Sequence, residues 1–445
     1  MKQRRIFQDQ ILCRAGLRQV VLVTLAVLAG LLAAAAPASA QKTELKVGVV
    51  LFLSGPASGP FGIPAQQGSQ VIIDAINAGT LPAPYNKKGI AGVTITPVFI
   101  DEAGGTAKQV EEYRNLVQRQ GVDFVLGYIS SGDCLAVAPI GEEMKTLTIL
   151  ADCGTPRIFE DADYHYVFRT RPHATMDNVS AARYLLDLKP DTKTYAGINQ
   201  NYAWGQDSWN DFNASMKALR PEAKSVSEQF PKLFAGEFSS EISALLLAKP
   251  DLVHSSFWDG DFESFVFQST ARGLDKRTLF VFTAGEPYMF RMGKSIPDGS
   301  IIGARGPYGV YAHPTPLNTW FRSEYQKRFD TPPIYAAYVY AQAFLAVKLA
   351  YEKAAAGGKW PSQDEVISKL EHLEFEAIGS NVKMALGKGH QAVSEAAVGR
   401  FKWDEGKQAA TLVDVKYYPP ECATPPEGAK SVDWIAGGMP GAKCK

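Results

Sequence analysis

Two successive blocks, in each of which apolar β-rich strings alternate with segments of helical period, constrain this chain more than any other feature. In the first block Leu45–Phe52, Val93–Ile100, Val122–Gly127 and Leu147–Ala151 read as strands. Between them, residues 68–77, 106–120 and 134–144 carry apolar side chains at helical spacing. The pattern restarts with strands over Thr194–Ile198, Leu252–Phe257 and Thr278–Phe282 and helices over 205–219 and 262–272. Strands joined by short helical connections make right-handed crossover units, and so a parallel sheet covered on both faces. The expected fold is α/β, with two doubly wound parallel-sheet lobes. Ser54–Gly62, rich in Gly and Pro, reads as a loop outside regular structure. Residues 334–355 read as a long amphipathic helix that periodicity cannot assign to either lobe. Residues 398–403 and 411–418 read as a terminal hairpin, and 419–445 as a loose Pro/Gly-rich tail held by Cys422 and Cys444.

The N-terminus carries an address. A basic stretch ending at Arg18, an apolar run over 20–36 and then Pro37-Ala-Ser-Ala40 follow the order of an export signal, with cleavage expected after Ala40. Arg4-Arg5 leaves a twin-arginine route open beside the general one. The run is shorter than the ~18–20 apolar residues of a membrane span, and no later segment reaches that length. The expected location is the periplasm. Lys plus Arg equal Asp plus Glu at 46 each; five of those bases and one acid lie in residues 1–40, so 41 bases face 45 acids beyond them. No positive field points to nucleic acid. Four cysteines follow the leader, Cys134, Cys153, Cys422 and Cys444. An even number in an oxidising compartment predicts two disulfides, with three pairings open. Pairing 134–153 with 422–444 closes the shortest loops, each contributing about 3 kcal/mol in the chain-entropy account. Metal spacing of the CxxC kind is absent.

Catalytic signatures are missing too. There is no G-x-S-x-G elbow, no H-E-x-x-H and no P-loop, and the six histidines form no i, i+4 pair. Gly387-Lys-Gly389-His-Gln-Ala392 does not follow a strand and reads as a turn. No enzyme activity, cofactor or metal is expected. Binding chemistry gathers instead at the carboxyl ends of the strands, where open α/β sheets take their ligands beside helix N-termini. Ser130 and Ser131 stand where a helix begins, placed to cap it or to meet an anionic group. Gly154 and Thr155 follow the next strand, within Asp152-Cys153-Gly154-Thr155-Pro156. The second block offers Trp204, Trp258 and Glu286 at corresponding places, aromatics to wall a pocket and a carboxylate to accept from an ammonium.

These strings, in their order, resemble the periplasmic substrate-binding proteins of ABC importers, in the leucine-binding-protein-like class that takes branched-chain and other hydrophobic amino acids and amides. Leu53-Ser-Gly-Pro56, Gly127-Tyr-Ile-Ser-Ser-Gly132, Thr155-Pro156, Phe168-Arg-Thr170 and Ala203-Trp-Gly-Gln206 carry the resemblance. It implies two lobes joined by three crossovers, 45–168 with 310–392 and 169–309 with 393–418, and a ligand trapped between them by hinge closure. It places Ser131, with Ser130 beside it, on the ligand carboxylate, with Thr155 and the backbone near Cys153 and Gly154 as the second contact. Trp204 stands where relatives carry Tyr, and Glu286 near the ammonium acceptor. Asp152 departs from the family pattern and would oppose an anion if it points inward. The implied partner is a membrane permease, the implied state a monomer, and the first ligand a hydrophobic amino acid. The alternatives are a sensing module of the same fold for amides, urea or aromatic acids and, more remotely, an exported α/β hydrolase.

Overall fold

The computed structural model describes residues 42–444; the expected leader and its cleavage site lie outside the described residues. Strands β1 (Glu44–Leu51), β2 (Thr94–Asp101), β3 (Phe124–Gly127), β4 (Thr148–Leu150) and β5 (Val167–Arg169) alternate with helices Ile63–Ala78, Thr106–Gln118 and Ser131–Glu143. The chain then builds β6 (Thr194–Ile198), β7 (Lys224–Gln229), β8 (Leu252–Ser255), β9 (Leu279–Phe282) and β10 (Ile301–Gly303). It ends with β11 (Glu374–Glu376), β12 (Asn381–Leu386), β13 (Gln391–Val393), β14 (Ala396–Asp404) and β15 (Ala409–Tyr418). Two sheets result, ordered β11-β12-β13-β5-β4-β3-β1-β2 and β15-β14-β10-β9-β8-β6-β7. Strands β1–β5 and β6–β10 pair in parallel, as does β13 with β5, while β11 with β12, β12 with β13, β14 with β10 and β14 with β15 pair antiparallel. The backbone passes from one sheet to the other after β5, after β10 and between β13 and β14.

Alternation along β1 shows how each sheet is sandwiched. Leu45, Val47, Val49 and Leu51 join one apolar cluster, and Val50 joins another with Tyr113 and Leu116 on the opposite face. Helix Ile63–Ala78 lies so close to helix Tyr335–Ala354 that a Cβ on Gly68 would stand 2.5 Å from the Ala337 carbonyl oxygen. That close approach packs the late helix on the helical layer of the first sheet. It also corrects the expected amphipathic pattern, because Tyr335–Lys348, Ala350 and Tyr351 are all buried. Ser58–Gly62, expected to be irregular, forms one wide helical turn running into helix Ile63–Ala78. Pro60 and Pro64 sit in first turns, where a missing N–H costs nothing.

The segment after Tyr418 is not loose. It forms helices Pro420–Ala423 and Ser431–Ala436, and Cys422, Ala423, Trp434, Ile435 and Met439 pack into the second lobe's core with Met176, Val179 and Phe212. Disulfides join Cys134 to Cys153 and Cys422 to Cys444. Composition alone predicted a loose tail because Pro and Gly outnumber the few apolar residues that anchor it. No helix among the described residues is long and apolar enough to cross a membrane.

Candidate functional site

The loops after β3 and β4 form one rigid wall. Gly127 must be glycine, since at φ +146° a Cβ would stand 2.2 Å from the Val50 carbonyl oxygen. Tyr128 follows at φ 66°, a left-handed conformation that a non-glycine residue adopts at a cost. This bend aims the N–H groups of Ile129 and Ser130 at the buried Glu102 carboxylate, 2.9 and 2.8 Å away. Burial, with Asp133 nearby, pushes Glu102 well above the usual carboxyl range. Ser130 caps helix Ser131–Glu143, accepting from the Asp133 N–H at 3.5 Å. Ser131 Oγ accepts from the N–H groups of Gly154 and Thr155 at 3.1 and 3.2 Å. With the Cys134–Cys153 bond, these contacts lock the two loops into one piece.

The second lobe meets this wall directly. Thr155 Oγ1 donates to Asp207 Oδ2 at 2.6 Å, and Arg157 Nε reaches the same oxygen at 3.0 Å. A Cβ on Gly154 would stand 2.3 Å from Trp204 Cζ3 and 2.4 Å from Arg305 Nη2. Trp204 is fixed by its Nε1–H, which donates to the Ser256 carbonyl at 2.8 Å, and Arg305 lies over its ring at 4.1 Å. Arg305 donates to Asp152 Oδ1 at 2.7 Å and to the Asp152 carbonyl at 3.0 Å. Tyr335 donates to the same carboxylate oxygen, and Arg171 Nη1 to the same carbonyl. Trp258 adds an apolar edge, 5.7 Å from Phe52 and 5.4 Å from Phe61 between ring centres. Asp259 and Arg305, like Tyr128, hold left-handed φ values of 55° and 54°.

At the crossovers the buried guanidinium groups of Arg171 and Arg305 pair with the buried carboxylates of Asp152 and Asp177, while the buried Arg169 donates to Gln391 and to the Cys153 and Thr155 carbonyls. Burial raises Asp177 to about 6 against the pull of Arg171 and Arg305. Burial, and then the charges of Arg171 and Arg305, push Arg169 well below the usual guanidinium range. The nearby carboxyls of Glu102, Asp133, Asp259 and Glu286 are all shifted upward, with burial the largest cause. Among the described residues no group of three or more His, Cys, Asp or Glu side chains is arranged to hold a metal.

Of the residues singled out in the sequence, Ser130, Ser131, Cys153, Gly154, Thr155 and Trp204 come together, and Trp258 lines the adjoining aromatic edge. Glu286 stands one layer back. It is fully buried and accepts from the N–H groups of Tyr335 at 2.9 Å and Val310 at 3.3 Å, which caps helix Tyr335–Ala354 from the other lobe. Arg305, Asp207, Phe61 and Tyr335 escaped sequence reasoning. Only the Gly303-Ala-Arg305-Gly306 turn, after a three-residue strand, offered a signal for Arg305.

Residues 44–408 match the family described as periplasmic binding protein. The leucine-specific-binding protein of Salmonella typhimurium is 24% identical over 284 residues, 62% of this chain and 71% of the relative. The Leu/Ile/Val-binding protein of Escherichia coli K12 is 26% identical over 268 residues, 58% of this chain and 66% of the relative. In fold, the chain is similar to an ABC transporter solute-binding protein from R. palustris solved with benzoate. The TM-score is 0.74 at 20% identity, over 87% of this chain and 99% of the other. The Thermotoga maritima leucine-binding protein gives a TM-score of 0.70 at 16% identity, over 83% of this chain and 98% of the other. Two doubly wound lobes and a family match over residues 44–408 lead to one conclusion: this chain belongs to the periplasmic binding protein family, solute receptors of ABC transporters rather than enzymes.

Proposed function

We propose that this protein is an exported receptor that captures a small carboxylate with an apolar body between its lobes, closes over it and hands it intact to a membrane permease. In this reading residues 45–168 with 310–392 move against 169–309 with 393–418, and the leader over 1–40 directs export. The observation that carries it is Arg305, stacked on Trp204 and reaching Gly154, beside the Ser131 hydroxyl and the N-terminus of helix Ser131–Glu143. A carboxylate there would meet a guanidinium, a hydroxyl and a helix N-terminus together. Phe61, Trp204 and Trp258 would cover its apolar body. Asp152 does not oppose such an anion, because the Arg305 guanidinium balances its charge and the Tyr335 hydroxyl holds it in place.

The head group separates two ligand classes. A hydrophobic amino acid needs an acceptor for its ammonium, and Glu286 already accepts two backbone N–H groups while burial raises it to about 7. That favours an acid without an amino group, as do the R. palustris neighbours solved with benzoate and 4-hydroxybenzoate. The leucine-binding relatives keep leucine in the comparison. The test is a thermal-shift panel of benzoate, 4-hydroxybenzoate, leucine, phenylalanine, benzamide and urea. A solute at a hundred times its Kd adds about 2.7 kcal/mol to folding. Stabilisation by benzoates and not by benzamide is expected. Equal stabilisation by benzamide or urea would overturn the carboxylate reading, and leucine ahead of benzoate would replace the aromatic acid with an amino acid.

A further inference from the structure

We propose that residues 419–444 form a clasp, built into one lobe and latched to the other, that biases the hinge toward its closed form. The segment lies beyond the family match, which ends at 408. Its two attachments differ in kind. Toward the second lobe it is anchored by packing: Cys422, Trp434, Ile435 and Met439 enter the core beside helices Ala174–Leu188 and Ala203–Leu219. It is also closed on itself, by the Cys422–Cys444 bond, the Lys443 N–H on the Glu421 carbonyl at 3.0 Å and Trp434 Nε1–H on the Pro440 carbonyl at 3.0 Å.

Toward the first lobe the segment is held by polar bonds. Ser431 donates from both its N–H and its hydroxyl to Glu160 Oε1. Lys430 pairs with Asp161 at 2.7 Å, and Glu427 accepts from the Lys388 N–H at 2.8 Å. Between these bonds the segment stands off the first lobe, leaving a cavity of about 230 Å³. An apolar anchor resists separation, whereas the exposed Lys430–Asp161 and Lys388–Glu427 bonds exchange readily with water, which leaves the part-buried Ser431–Glu160 pair as the firmer catch. The latched stretch is also the lip of the cleft, because Thr155 and Arg157, just before Glu160 and Asp161, bond Asp207 across it. Swinging the lobes apart therefore breaks the latch, and closing them remakes it. Each bond made only in the closed form raises the closed fraction before any solute arrives, and apparent affinity scales with that fraction.

This inference rests on the hinge motion proposed above but on no particular ligand, so its test uses none. Solution X-ray scattering and backbone hydrogen exchange compare the full chain with a Glu427→Ala/Lys430→Glu/Ser431→Ala variant, which removes the Glu427 acceptor and spares the apolar anchor. Lys416→Gln, which breaks an exposed pair with Asp187 inside the second lobe, is the control. The triple variant is expected to show a larger radius of gyration and exchange at 157–161 faster by about threefold or more, with the control unchanged. Removing 419–445 is expected to open the protein at least as far. Should that truncation fail to fold, the triple variant decides. A folded triple variant with wild-type radius and exchange would overturn the clasp while leaving the solute panel untouched.

Discussion

A single methyl group added at Gly154 separates closure from folding. Gly154 has no positive φ, so alanine brings no backbone strain, and the atoms nearest the new Cβ are Trp204 Cζ3 at 2.3 Å, Arg305 Nη2 at 2.4 Å and Trp204 Cε3 at 2.6 Å. Neither neighbour can yield cheaply. The indole is tied to the Ser256 carbonyl, and the guanidinium to Asp152. Overfilling a packed contact costs roughly 1–3 kcal/mol. Both obstructing groups belong to the opposite lobe, so the cost falls on the closed form, and an open molecule escapes it. Gly154→Ala should therefore weaken solute binding by roughly 5- to 150-fold, the same free energy expressed as affinity. Scattering should report a larger radius of gyration without solute, and thermal unfolding should move little. A variant with wild-type affinity and radius would refute the claim that Gly154 and Trp204 close on each other. A variant with a much lower Tm and an unchanged radius would show that the contact is fixed core packing.

Ser131→Ala leaves the N–H groups of Gly154 and Thr155 without their acceptor and should weaken carboxylate binding by about 1–3 kcal/mol, measured by calorimetry; unchanged affinity would remove Ser131 from the site. Arg305→Gln strands the buried Asp152 and should lower stability by about 3–5 kcal/mol, whereas adding Asp152→Asn should restore much of it; equal losses in the single and double variants would mean the pair is not coupled. Burial raises Glu286 to about 7, so the folded protein holds more protons than the unfolded chain above pH 4.5, and stability falls as pH rises from there to 7. Glu286→Gln should gain on wild type across that window, by about 3 kcal/mol in all, and parallel stability curves would contradict the assignment. Replacing Cys134 and Cys153 together by serine should cost about 3 kcal/mol in urea unfolding and loosen amide exchange at 129–131; an unchanged midpoint would mean the loops hold without the bond.

The first block was legible because β1, β3 and β4 lie in apolar strings bounded by turn residues, and the helices between them carry apolar residues at helical spacing. Where burial became complete the helical signal disappeared. Helix Ala174–Leu188 is buried along most of its length, so its apolar residues form no stripe, and helix Tyr335–Ala354 misled in the same way. Strands β5, β10 and β13 are three residues each, too short for an alternating pattern. Strand β7 shows the converse, an edge strand with no fully buried residue and therefore no apolar run. At the site, residues next to glycine, serine and helix starts were visible, since loop chemistry is local. Arg305 and Asp207 were not, because they matter through partners more than 50 residues away in sequence. Asp152 looked hostile to an anion only while its counterion was unknown.

A crystal structure with the solute that stabilises the protein most in the panel bears most directly on the capture of a carboxylate between closing lobes. It should show the carboxylate beside Ser131, Gly154 and Arg305, its apolar body against Trp204 and Trp258, and the two lobes in contact around it. A solute seated on an outer face, or an interlobe solute whose carboxylate points away from Arg305, would contradict the account.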